Sequence, residues 1–212
     1  MTKELIIVFV KNIKLGKVKT RLAKSIGNQG AFEVYSELVK ITETAIKNLL
    51  IDKRIYFSDA IIDTKWENHY KAVQKGENLG ERMKNAFIKG FEDGYEKIVL
   101  IGSDLPDINS NHIENGLQAL NSNNVVFGPA IDGGYYLVGM TKIYDFIFDN
   151  KPWSQSNLLE ITLEELKENS ISFSLLEPLN DIDTFEDLET SAFYKSNIEL
   201  QQRIQQLNDK AY

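Results

Sequence analysis

Short, unbroken apolar runs alternate with longer amphipathic stretches along this chain, and that alternation constrains its fold more than any other feature. Leu5–Val10 and Ile98–Ile101 have the length of strands buried on both faces. Between such runs, Gly30–Leu50 places Phe32, Tyr35, Leu38, Val39, Thr42, Ala45, Ile46 and Leu49 at helical spacing. Gly80–Tyr95 does the same with Met83, Ala86, Phe87 and Phe91. The pattern predicts further strands at Arg54–Phe57, Tyr70–Gln74, Lys97–Ile101, Asn124–Phe127, Tyr135–Met140 and Ser172–Leu176. Further helices are predicted at Asn109–Leu120 and Asn157–Asn169, with Thr184–Asp209 mostly helical. Strands separated by helices of this length imply βαβ units and a mainly parallel sheet. Ligands of such sheets sit at the C-terminal strand ends, near a switch point. The expected organisation is one domain over 1–212, with 190–212 as a C-terminal helical tail.

Composition excludes several kinds of chemistry. The chain has no Cys, so disulfides and thiolate catalysis are out, and its two His, His69 and His112, form no metal-binding pair. Both are expected at the surface or at helix ends. A net charge of −7 does not suit a nucleic-acid partner, which needs a basic footprint. No run approaches the ~18–20 apolar residues of a membrane span. The N-terminus enters the first strand with no signal-peptide layout, so a cytoplasmic enzyme is expected.

An anionic small molecule could still bind through a locally basic loop or a bridging metal, and the sequence offers both. The first strand is followed by a segment with five cations in eleven residues, Lys11, Lys14, Lys17, Lys19 and Arg21, with Gly16 among them. A lysine-rich loop is often just solvated. Placed off a strand end, however, it can bring backbone N–H groups and cations around phosphates. It is neither a Walker A loop nor a G-x-G-x-x-G turn. Past the strand ending at Ile101 come Gly102, Ser103, Asp104 and Pro106, where a carboxylate could share Mg²⁺ with phosphate oxygens. Asn109 or Ser110 is better placed than Asp104 to cap the following helix. Asp132-Gly133-Gly134 could be a hairpin turn, a substrate-facing loop, or both. In Asn180–Leu188, Thr184 or Asp183 could cap the last helices with Asp187 closing a capping box, leaving the other carboxylate for a metal.

Six segments in order carry a family resemblance over roughly residues 5 to 190. They are Lys19-Thr20-Arg21-Leu22, Leu79-Gly80-Glu81-Arg82-Met83, Gly102-Ser103-Asp104-Leu105-Pro106, Gly128 to Gly139, Pro152-Trp153-Ser154 and Asp181-Ile182-Asp183-Thr184. Together they resemble bacterial GT-A glycosyltransferase-like proteins of the nucleotide-diphospho-sugar transferase superfamily. They are also similar to phospholactate and molybdenum-cofactor guanylyltransferases. The resemblance implies a three-layer α/β/α, Rossmann-like fold and a Mg²⁺-dependent transferase, with Mn²⁺ as the alternative ion. Lys19 and Arg21 would clamp phosphates, with Lys11, Gly16, Gly102 and Ser103 beside the nucleotide. Gln74 to Gly80 would approach the base, with Arg82 nearby. Asp104 would hold the metal with Asp183 as second ligand. Asp132, Gly133 and Gly134 would face the sugar or acceptor, with Trp153 and Ser154 at the border.

The family loop often has prolines where this chain has Ile13 and Leu15, which implies a looser loop. Glycosyl transfer from a nucleotide sugar to a small-molecule acceptor is the first expectation, with Asp132 as candidate base. Nucleotidyl transfer releasing pyrophosphate is the alternative, and a non-catalytic nucleotide-sugar-binding module the third. The tail stripe Ile198, Leu200, Ile204 and Leu207 fits either docking on the domain or pairing in a homo-oligomer.

Overall fold

The structure is a computed structural model that describes residues 3–209; residues 1, 2 and 210–212, including the end of the expected tail, lie outside it. The elements in chain order are β1 (Glu4–Val10), α1 (Thr20–Lys47), β2 (Asp52–Phe57), β3 (Tyr70–Val73), α2 (Leu79–Glu92), β4 (Lys97–Ile101) and α3 (Ser110–Ala119). There follow β5 (Val125–Pro129), β6 (Tyr135–Met140), a 3₁₀ turn (Asp145–Ile147), α4 (Leu158–Glu168), β7 (Phe173–Leu175), α5 (Phe185–Thr190), α6 (Ala192–Ser196) and α7 (Ile198–Asp209). Seven strands form one sheet in the order β3-β2-β1-β4-β6-β5-β7. β6 runs antiparallel to both neighbours and every other pairing is parallel.

β1 is apolar from Leu5 to Val10 because both of its faces are covered there. Ile6, Val8 and Val10 face a core shared with α1 and α3, while Leu5, Ile7 and Phe9 face one shared with α2 and α4. In register, Ile7 lies beside Leu100 and Val8 beside Ile101. The loops leaving β1 and β4 therefore emerge side by side. The chain order reverses between these two strands, which opens a crevice at their C-terminal ends.

α1 begins ten residues before the expected Gly30, and its backbone leaves helical geometry at Gly27, where φ is 74°. The early part has no clear stripe toward the main core because Leu22 and Ile26 pack elsewhere. They join Val34, Leu38, Leu188, Leu200 and Ile204 in a third cluster under the C-terminal helices. The tail is thus docked on its own chain. Leu200 and Ile204 are buried against α1, and Arg203 pairs with Glu33 at 3.4 Å and Glu37 at 3.1 Å. The stretch expected to be mostly helical, Thr184–Asp209, forms three helices, with Ser191 capping the second.

Asn109 caps α3, and His112 closes the box by accepting the Asn109 N–H. His112 is therefore at a helix end as expected, but buried rather than at the surface. Among the described residues, no helix is long and apolar enough to cross a membrane.

Candidate functional site

The basic loop is anchored at its first turn by Asn12, a buried polar residue. Asn12 Oδ1 accepts from Ser58 Oγ, Asp59 N and Ala60 N, and its amide donates to the Ala60 carbonyl at 2.7 Å. This ties the exit of β1 to the exit of β2. Gly16 turns at a φ of 73°, and Lys14 reaches sideways to Asp59 at 3.1 Å.

Lys19 then enters the left-handed region, φ 46°, immediately before α1 and without a side-chain cap. That conformation is uncommon and mildly unfavourable for a residue with a Cβ. It directs the side chain inward. Lys19 Nζ lies 3.1 Å from Asp104 Oδ2 and 2.9 Å from Asp183 Oδ1, and only 3% of the side chain is exposed. Arg21 stays 67% exposed, 3.5 Å from Asp183 Oδ2. The first-loop cations and the two predicted carboxylates do meet. The expected division of labour changes, because the Lys19 ammonium sits on carboxylates and not at an open phosphate site.

Asp183 is available because Thr184 takes the capping role. Asp187 Oδ2 accepts from the N–H groups of Asp183 and Thr184, closing the predicted box. The segment before it runs from β5 toward β4. Leu179 N donates to Pro129 O, and Ile182 N approaches Asp104 O at 3.5 Å. Ile182 is buried in the third core cluster while Asp181 and Asp183 are half-buried. Both carboxylates consequently reach the crevice.

Asp181 is the residue that sequence reasoning did not place in the site. The signal was present in the Asp-Ile-Asp alternation, since residues two apart share a face of extended chain. Carboxylate oxygens of Asp104, Asp181 and Asp183 all lie within 4.8 Å of one another. Burial, then the Asp104 charge, pushes Asp181 up to about 6 despite Lys19. Burial works to raise Asp104 as well, but the Lys19 ammonium outweighs it and holds Asp104 below the usual carboxylate range. Burial works to lower Lys19, and Asp104 with Asp183 more than reverses that. The three carboxylates share one buried cation. Hard oxygen donors with a shortage of positive charge fit a Mg²⁺ or Mn²⁺ ion.

Asp104 also borders a cavity of about 240 Å³ lined by Phe9, Leu79, Met83 and Tyr135 and by the polar groups of Lys11, Gln74, Gly102 and Ser103. This is below the roughly 300–1,000 Å³ of pockets that enclose drug-sized ligands, and suits a base more than a whole nucleotide. Gln74 Nε2 donates to Tyr56 O at 3.0 Å, so its Oε1 is the acceptor left to the cavity.

Tyr35 of α1 joins the two halves of the site. Its hydroxyl accepts from Lys11 N–H at 2.9 Å and shares a 2.8 Å hydrogen bond with Ser103 Oγ. Burial pushes this hydroxyl up to about 12, so it stays protonated. No sequence signal separated Tyr35 from the other core residues of its helix face. Tyr35→Phe leaves Lys11 N–H and Ser103 Oγ short of a partner. We expect it to cost about 1.5 kcal/mol, lowering the Tm by roughly 3–6 °C in a thermal melt. An unchanged Tm would show that the bridge carries nothing.

The remaining predicted residues divide into two sets. Asp132 Oδ1 accepts from Gly134 N at 2.9 Å, so the hairpin-turn role is real, and the Asp132 charge is also felt by Asp181. Gly133, at φ 91°, lies against the Ser156 backbone, where an added Cβ would come 1.8 Å from Ser156 O. The Asp132-Gly133-Gly134 turn thus packs against the chain at Ser156, two residues past Ser154. Gly80 does not line the cavity. It makes room for Phe148 O and the Trp153 ring, which would lie 2.5 and 2.6 Å from a Cβ there. Trp153 therefore packs on α2. Arg82 Nε donates to Gly76 O at 3.1 Å and braces the loop before that helix.

The sequence model of the family described as "Uncharacterized protein conserved in bacteria (DUF2064)" matches residues 44–155, just over half of the chain. The chain belongs to the DUF2064 family. A crystal structure from Desulfovibrio desulfuricans G20, provisionally described as a nucleotide-diphospho-sugar transferase, is 32% identical to this DUF2064 chain. It covers 98% of this chain and 99% of its own, with a TM-score of 0.86. The inositol-1-phosphate CTP transferase of T. maritima is 13% identical over 96% of each chain, with a TM-score of 0.58. The 4-diphosphocytidyl-2C-methyl-D-erythritol synthase of Anaerococcus prevotii DSM 20548 is 12% identical over 94% of this chain and 96% of its own, at 0.59. These last two likenesses are likenesses of fold. No curated protein matches the chain. The fold is that of the nucleotide-diphospho-sugar transferases, and the structural neighbours are transferases.

Proposed function

We propose that this DUF2064 protein is a divalent-metal-dependent glycosyltransferase that uses a nucleotide sugar. The observation that carries the reading is the convergence of Asp104, Asp181 and Asp183 with Lys19 and Arg21 at the rim of a base-sized cavity. The name of the Desulfovibrio relative points the same way.

In this reading the base enters the cavity against Phe9 and Gln74, and the diphosphate lies toward Lys11 and Arg21. The three carboxylates would hold Mg²⁺, which when bound neutralises diphosphate charge and stabilises the leaving group. The acceptor hydroxyl oxygen forms a bond to the anomeric carbon as the bond from that carbon to the β-phosphate oxygen breaks. The nucleoside diphosphate leaves with the bonding pair. Asp132, exposed and close enough to be felt by Asp181, takes the hydroxyl proton.

A second reading, nucleotidyl transfer, is favoured by the cytidylyl-transferring neighbours. There an acceptor phosphate attacks the α-phosphorus of a nucleoside triphosphate, and pyrophosphate leaves. Incubation with panels of nucleotide sugars and triphosphates, with Mg²⁺ or with EDTA, separates the readings. Nucleoside diphosphate released from a sugar nucleotide only with Mg²⁺ is the expected result. Pyrophosphate from a triphosphate would install the second reading. Nucleotide binding that is indifferent to Mg²⁺ and gives no product would leave a passive binding module.

A further inference from the structure

Lys19 is buried where a metal ion would be most attracted. Its ammonium makes both of its ion pairs, at 2.9 and 3.1 Å, with members of the carboxylate cluster, and its backbone holds a left-handed conformation at φ 46° to put it there. The neighbouring guanidinium of Arg21 contacts the same Asp183 but from solvent. A divalent ion bonds carboxylate oxygen at about 2.1–2.5 Å. Oxygens within 4.8 Å of one another would bring it into the space that Lys19 Nζ flanks. Two cations would then face each other across a half-buried cleft at roughly 4 Å, where their repulsion is substantial.

We infer that Lys19 is the resident counter-ion of this cluster, and that a divalent metal must displace its ammonium from the carboxylates. The inference rests on the proposed metal-dependent reading and adds to it an exchange between two cations. It explains how three clustered carboxylates are tolerated in the metal-free fold, because the ammonium compensates them until a metal arrives. It also couples metal to donor. Phosphates of a bound nucleotide would offer the released ammonium a new partner, so each ligand should tighten the binding of the other by the same factor. A lysine that merely orients the carboxylates predicts the opposite sign, because its loss would weaken metal binding.

The test is Mn²⁺ binding to the purified full chain without nucleotide, followed by electron paramagnetic resonance. Lys19→Met should bind Mn²⁺ about tenfold more tightly than wild type or better, as expected when a like charge at about 4 Å is removed from a partly solvated site. Lys19→Arg should stay near wild type. Equal or weaker binding by Lys19→Met would overturn the exchange while leaving the metal-dependent reading intact. Failure of both wild type and Lys19→Met to bind Mn²⁺ would overturn both.

A measurement on the wild type covers the case of a variant that does not fold. Reductive methylation read by mass spectrometry should modify Lys19 poorly in EDTA and several-fold faster in Mg²⁺ alone. Labelling unchanged or slowed by Mg²⁺ would contradict the exchange.

Discussion

Asp104→Asn should fold, lose the thermal stabilisation that Mg²⁺ plus donor nucleotide gives the wild type, and turn over at least about 10³-fold more slowly. Asp104 is the one residue shared by the cavity and the carboxylate cluster, because β4 ends beside β1 and delivers it to the crevice floor. Asparagine keeps the shape and an oxygen for Lys19 Nζ but removes the charge. The fold should survive, since Lys19 retains Asp183 at 2.9 Å. Losing one preorganised electrostatic group at a reacting centre typically costs about 10²–10³ in rate. Here the cost includes metal affinity, which places the expectation at the upper end. Asp107→Asn, three residues along and exposed, is the matched control and should behave as wild type. Turnover within tenfold of wild type for Asp104→Asn would remove Asp104 from the chemistry.

Asp181→Asn should do something unusual for a site mutation and stabilise the metal-free protein. The Asp181 carboxyl is pushed up to about 6 by burial and by Asp104. The native state therefore binds this proton more tightly than the unfolded chain does. Stability contributed by the protonated form is fully present below the unfolded pKa near 4 and is lost as pH rises through about 6. At pH 7.5 the wild type carries the whole penalty, and asparagine removes it. The nominal effect of a two-unit shift is about 3 kcal/mol, which solvent screening at a half-buried carboxylate reduces to on the order of 1 kcal/mol. For a chain of this size that is a Tm higher by about 2–4 °C. The gain should shrink toward zero below pH 4. Addition of Mg²⁺ should then raise the Tm of the wild type more than that of the variant. Melting curves at pH 4 and 7.5, with EDTA or Mg²⁺, decide it: a lower Tm for the variant at pH 7.5 would mean that Asp181 is not repelled in the folded state.

The central strands were readable because β1, β4 and β6 are mostly apolar runs, and β4 and β6 fall at the residues their patterns mark. The start of α1 was not, because Gly27 breaks the helix and its first residues pack on helices more than 150 positions away. Within the site, Asp104 and the basic loop could be placed at strand ends from sequence. Which partner each would find could not, since strand order is not written in any single segment. Lys19 shows the consequence. Its type and position suggested phosphate, and the topology gave it two carboxylates instead. Gly80 and Trp153 were assigned to ligand by resemblance, and they fill each other's space.

The proposed chemistry requires a divalent ion seated among Asp104, Asp181 and Asp183. Anomalous diffraction at the manganese edge, from crystals soaked in Mn²⁺ with a nucleotide sugar, tests this most directly. A single strong peak about 2.1–2.3 Å from oxygens of Asp104 and at least one of the other two, with donor phosphate on its open side, is the predicted result. A bound nucleotide with no anomalous peak at these carboxylates, or a peak held by other residues, would contradict it.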